Sequence, residues 1–321
     1  TDAFNQGLNL DVLEPNASFY PTLAGLFVTA NQNDMRGDFY GDFYAKLRHG
    51  VAHAPLELIA YVAENDLPYT EILTANYTLA NPQLAQVYNA DLSAFASDDY
   101  REFKPVQNRG QILHNNQFDA EFIEGIGSVI SSYGDFVAYP HAGILNEPAF
   151  LNRYPTTDTN RNRARARWAY YHFLGVDIEK SAARTNDPEA LADTNNPTLN
   201  NPNCTVCHIT MDPVAGAFQN YGDEGIYRNS WGGLDALPRP YKQDSGLYSQ
   251  GDTWYADMLA PGFADITAPD NRNSLQWLAQ QIVADPRFNQ AAVKFWWPAI
   301  MAEDLLEAPE AVSYTHLTLP T

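Results

Sequence analysis

The chain holds two cysteines in 321 residues; they stand three positions apart as Cys204 and Cys207, and His208 follows the second directly. Such a spacing rules out a disulfide between distant segments, so the fold must be held by an apolar core. With two cysteines and seven histidines placed independently, a C-x-x-C-H string would arise with a probability on the order of one in ten thousand. Three chemistries use cysteines at this spacing. A zinc site needs four ligands, but there is no second cysteine pair and no downstream H-x(3–5)-H, while His49 and His53 lie far upstream in an apolar helical context. A thioredoxin-like pair follows a strand, whereas this one follows the loop "DTNNPTLNNPN". Covalent attachment of one c-type haem is the reading that accounts for every residue: cysteines at i and i+3 point to one side of a helical turn for two thioether links, and His208 meets the iron. On this reading Asn203 is the N-cap of a short helix, and Asp212-Pro213 stops it.

Composition limits the setting. At 45% hydrophobic residues the chain can bury a substantial core. The longest apolar runs, such as "AGLFVTA" and "FWWPAIM", fall short of the roughly 20 residues of a membrane span. Asp and Glu number 39 against 19 Lys and Arg, a net charge of −20, which repels nucleic acid and anionic lipid. Thioether attachment is made outside the cytoplasm, and a chain that opens on Thr1 fits one whose leader was removed, so a periplasmic or extracellular location is expected.

Helical periodicity dominates. Residues 39–64 read as two helices with a break near Gly50, and a further helix spans about 160–174. In "NSLQWLAQQIVADPRF", Leu275, Leu278, Ala279, Ile282 and Val283 form one apolar stripe that Pro286 ends, and another helix follows with Pro298 as a kink. Strand alternation is scarce. The expected fold is mainly α, a helical scaffold around a cytochrome-c-like haem segment with long irregular loops. Residues 1–155 form an N-terminal scaffold, 156–250 the haem-binding segment and 251–310 a C-terminal helical region. The last stretch, 311–321, with "SYTHLTLPT", reads as a gene-model artefact.

Four stretches carry a resemblance: "PYTEILTANYTLANPQLAQVY", "GILNEPAFLNRYPTTDTNRNRARARWAYYHFLGVDIE", "CTVCHITMDPVAGAFQNYGDEGIYR" and "LAQQIVADPRFNQAAVKFWW". From about 39 to 308 the chain resembles the large c-type-cytochrome-containing proteins of undefined function found in planctomycetes and some proteobacteria. In the haem segment Cys204, Cys207, His208, Asp212, Pro213, Gly216, Phe218, Tyr221, Gly225 and Arg228 follow the family pattern, whereas Gly222 stands where an acidic residue is expected, with Asp223 one place on. The resemblance implies an extracytoplasmic haem protein in which Tyr221 belongs to the cofactor-binding set; it brings no established substrate.

The second axial position decides what such a haem does, since a distal Met or His gives an electron carrier and an open site permits ligand chemistry. Met211 shares the short helix of His208 and cannot reach across the ring. The candidates are His141, His114, His49, His53, His172, Met35, Met258 and Met301. His141, in the Pro/Gly-bounded loop "YPHAGIL", is taken as the distal metal ligand. The run "RNRARARW" reads as a source of internal ion pairs, with haem propionates as alternative partners, and Arg228 behind the motif is the better propionate candidate. The expected function is a secreted mono-haem cytochrome that passes electrons to a redox partner protein. The alternatives are a haem enzyme with an open distal site, peroxidase-like or an electron-accepting domain, and a structural subunit of an extracellular oligomer or filament.

Overall fold

The computed structural model describes residues 38–88, 90–107, 120–123, 127–130, 141–156, 160–221, 255, 258–270 and 272–306. Eleven α-helices lie among the described residues: α1 Asp38–Glu64, α2 Glu71–Thr74, α3 Pro82–Val87, α4 Pro148–Arg153, α5 Arg163–Leu174, α6 Ile178–Ser181, α7 Pro188–Ala192, α8 Pro197–Asn200, α9 Pro202–Ala217, α10 Ser274–Ala284 and α11 Pro286–Met301. Strands are short and pair in antiparallel twos: β1 Thr78–Ala80 with β2 Lys104–Val106, β3 Ala120–Ile123 with β4 Gly127–Ile130, and β5 Gly262–Phe263 with β6 Ile266–Thr267. The mainly α expectation holds, and among the described residues no helix is long and apolar enough to cross a membrane.

One expectation about helix limits is corrected. Residues 38–64 form one helix, not two, and it runs through both Gly50 and Pro55. Gly50 does not break it; a Cβ there would collide with the Asn81 side chain. That side chain caps α3 by accepting from the Leu84 N–H at 2.9 Å, and its amide donates to the carbonyls of Lys46 and Tyr100. The glycine thus gives a neighbouring amide access to the helix backbone. On α10 the stripe is as read: Leu275, Leu278, Ala279 and Ile282 are buried. Asp285 then caps α11 at Pro286, and α11 continues through Pro298.

The main core joins Leu58, Leu73, Phe150, Phe218, Leu278 and Phe288, so segments far apart in sequence bury their apolar faces together. A smaller core around Leu47, Val51, Leu84 and Val106 lies under β1, β2 and α3. The turn Gly143–Asn146 packs on α2 so closely that a Cβ on Gly143, whose φ is +51°, would overlap the Ile72 carbonyl.

Glu147 precedes α4 and is buried. The Thr78 hydroxyl donates to its Oε1, tying β1 to α4, while Oε2 has no hydrogen-bond partner among the described residues. Burial raises its pKa to about 7, against the lowering effect of the Thr78 bond. The folded state thus favours the protonated acid. Stability from this group is full below the ordinary carboxyl value and is lost as pH rises toward about 7, a change on the order of 3 kcal/mol. Glu147→Gln should therefore stabilise the protein at pH 8 relative to pH 4.5, read as the difference between wild-type and variant urea-unfolding free energies across that range. A difference that does not change with pH would contradict the assignment.

Candidate functional site

Helix α9 begins properly for its sequence: Pro202 occupies the first turn, and the Asn201 side chain accepts from the Asn203 N–H at 3.0 Å. Asn201, not Asn203, is therefore the cap. Nor does Asp212-Pro213 stop the helix, which runs on to Ala217. The carbonyl that Pro213 leaves without a donor belongs to Ile209, whose side chain is 57% exposed, so it lies on the wet side, where water can satisfy it. A helix of this length has an inner face that docks its second half: Val214, Ala215, Ala217 and the following Phe218 are buried. Gly216 lies against Pro261 beside β5.

At 100° per residue, Cys204, Cys207 and His208 fall within an arc of about 100° on α9. Both cysteines are free thiols, half-buried, and Cys207 Sγ lies 4.0 Å from the Ile178 carbonyl on α6. The i, i+3 arrangement expected for two parallel attachments is thus present on one helical face.

His208 is held from its δ side. Its Nδ1 lies 2.9 Å from Oδ1 of Asp212, one turn on. Asp212 is 1% exposed, and Arg163 from the first turn of α5 grips it with both prongs, Nε to Oδ1 at 2.8 Å and Nη2 to Oδ2 at 2.9 Å. Burial pushes the Asp212 pKa up, but the bonds and charges of Arg163 and His208 outweigh it and hold the group below the ordinary carboxylate value. An ionised acceptor on Nδ1 fixes the tautomer with the proton there, which leaves Nε2 as a lone-pair donor for a metal.

The start of α5 is fixed equally firmly. Arg161 and Asn162 adopt positive φ, and the Asn162 N–H donates to Thr156 Oγ1 at 2.9 Å. Arg165 has no exposure. Its Nε donates to the Tyr154 carbonyl, Nη1 to Asn162 Oδ1 and the Tyr221 carbonyl, and Nη2 to the Leu151 carbonyl. Arg167 pairs with Asp177 through two bonds and with Glu179. Internal pairing expected for this run is thus found at Arg163 and Arg167. Tyr221 is buried at the exit of α9, next to that Arg165 bond; Arg228 lies outside the described residues.

The axial candidates scatter. His172 sits nine residues beyond Arg163 on α5, hence half a circle round from the arginine that clamps Asp212. Its Nε2 lies 2.9 Å from the Tyr154 hydroxyl and its ring stacks on Trp168, so it is a core histidine with a partner. His49 and His53 stack on each other at 3.9 Å on α1, beside Tyr100 and Phe103. Met258 is buried three residues before Pro261, and Met301 ends α11 half-exposed. His141 is buried just before the Gly143–Asn146 turn, and burial lowers its pKa to about 4. His114 and Met35 lie outside the described residues. Sequence reasoning missed the Arg163–Asp212–His208 chain, although the i, i+4 spacing of His208 and Asp212 was there to be read.

Over residues 141–230 the chain is similar to a family described as PSCyt3, protein of unknown function (DUF1588). That stretch contains His141, the arginine run, α9 with its C-x-x-C-H string, and Arg228. No curated protein matches the chain, and no solved structure does.

His172 gives a pH test of this packing. Burial lowers its pKa from 6.5 to about 4, so below pH 6.5 the unfolded chain takes up a proton that the folded chain refuses. Stability falls as pH drops from about 6.5 to 4, by roughly 3 kcal/mol from this group. His172→Gln keeps a partner for Tyr154 and should remove that component from the difference between wild-type and variant denaturation curves; a slope that survives the substitution would exclude His172 as its source.

Proposed function

We propose that this protein is an extracytoplasmic mono-haem c-type cytochrome that carries electrons to a redox partner protein. The observation that carries the reading is a histidine with Nδ1 bonded to a buried carboxylate, on the same helical face as two free thiols three residues apart. The residues fit the group: Cys204 and Cys207 for the two thioether bonds, Nε2 of His208 for the iron, and Asp212 with Arg163 to hold the imidazole. His141 would be the distal ligand, with Arg228 as the residue for a propionate and Tyr221 among the residues that would hold the group. When bound, haem supplies a one-electron couple. The chain orients the imidazole, keeps its proton on Nδ1 and excludes water from the Asp212–Arg163 pair. Similarity to a family labelled PSCyt3 over the stretch that bears the motif supports this assignment; an extracytoplasmic location follows from it, because thioether attachment is made outside the cytoplasm.

A second reading follows from the same carboxylate. A more basic proximal histidine also favours a haem that binds and activates small ligands at an open sixth position. Spectra separate the two.

Protein matured in an exporting host should retain one haem per chain after acid-acetone extraction, measured as the pyridine haemochrome. Cys204→Ala with Cys207→Ala should leave none. The ferric spectrum should be low-spin, and His141→Ala should turn it high-spin. A low-spin spectrum untouched by His141→Ala would transfer the distal role to another side chain, Met258 being the buried alternative. A high-spin wild type that reacts fast with peroxide would favour the second reading, and an apoprotein would overturn both.

A further inference from the structure

Resting on the haem reading above, the buried pair behind His208 carries a further assignment. A purely structural role for Arg163 and Asp212 is an uneconomical use of charge, because well-packed apolar residues of similar volume often stabilise a fold as much as a buried ion pair or more. The two charges are also placed for something other than each other. Asp212 Oδ1 is shared between Arg163 Nε at 2.8 Å and His208 Nδ1 at 2.9 Å, whereas Oδ2 receives Arg163 Nη2 at 2.9 Å. One helix supplies the ligand and the carboxylate, and a second helix, 49 residues earlier at its arginine, supplies the clamp. Side-chain exposure falls along the chain toward the carboxylate, 19% for His208, 15% for Arg163 and 2% for Asp212. In such a water-poor site a charge-assisted bond is stronger than at the surface.

We propose that Asp212, gripped by Arg163, is a positioning residue that sets how strongly Nε2 of His208 donates to haem iron and so biases the bound iron toward the ferric state. The carboxylate draws on the Nδ1 proton and shifts electron density to Nε2. A more basic ligand stabilises the higher charge on the metal. Arg163 works in the opposite sense, since its two bonds occupy lone pairs and charge that Asp212 would otherwise direct at the imidazole. The pair therefore has a graded output: removing the anion and removing the cation must move the redox balance in opposite directions. A clamp that only holds the helices together makes no such distinction.

The test uses the full-length haem-loaded chain, with haem content of each variant measured first as the pyridine haemochrome. Asp212→Asn keeps the size and an acceptor oxygen but loses the charge; its ferrous-to-ferric ratio at fixed ambient potential should rise by about tenfold, equivalent to 59 mV for one electron. Arg163→Gln should lower that ratio. In the ferrous carbon monoxide adduct, where the added ligand takes the distal side, the iron–carbon stretch should move oppositely in the two variants, as it reports the donor strength of His208. If Asp212→Asn does not accumulate, Arg163→Lys carries the test, because it keeps the cation and gives up the two-pronged grip; its ratio should fall as well. Ratios equal to wild type in haem-loaded variants, or shifts of one sign in both, would overturn this inference and leave the haem reading standing. A wild type without haem would overturn both.

Discussion

A guanidinium sealed from water has to find acceptors for its donors inside the protein, and Arg165 does so with three backbone carbonyls and an asparagine oxygen. Those acceptors come from the end of α4, the residue after it, the residue before α5, and the exit of α9. One side chain therefore fixes where three helices sit relative to each other. Arg163, two residues earlier, can reach Asp212 only because α5 starts where Arg165 holds it. The geometry behind His208 is thus set by a residue that touches neither the histidine nor the carboxylate. Losing it would leave several buried carbonyls without donors at once.

An acidic chain spends its few cations accordingly. The arginine run contributes two side chains with almost no water contact, Arg161 and Arg165, and two that neutralise carboxylates. Asp212 and Asp177 are both held below ordinary carboxylate pKa values, with Arg167 bonds as the leading influence at Asp177 and the Arg163 bond offsetting burial at Asp212. In a protein of net charge −20 this basic string serves as a structural and electrostatic device through burial and ion pairing.

How much of this was legible in the sequence depended on the range of the interaction involved. The apolar stripe of α10 and the shared face of Cys204, Cys207 and His208 are one-helix properties, and periodicity alone places them. Gly50 and Pro213 were read locally too, and locally each argues for a helix end. Their continuations are tertiary: Asn81 fills the space at Gly50 from 31 positions away, and the exposed side of α9 tolerates a carbonyl without a donor at Ile209. Asp212 was half legible. Its spacing from His208 could be counted, but the clamp from α5 closes a gap of 49 residues that no window of helical periodicity spans.

The axial question sharpens under the same geometry. On the proposed haem reading a ligand opposite His208 would approach the face of α9 that carries the thiols, with a ring that is not already bonded or stacked elsewhere. His172 fails on both counts, since it points away from the Arg163 side of α5 and bonds Tyr154. His49 and His53 are stacked on each other, with Tyr100 and Phe103 beside His49. His141 is buried, and that burial lowers its pKa to about 4, so its ring is neutral near pH 7. It stands at the first residue of the stretch that is similar to the PSCyt3 family, and the C-x-x-C-H string stands near its end. On the proposed haem reading His208 and His141 would be the two axial donors, and the buried Arg161 and Arg165 lie between them in the sequence.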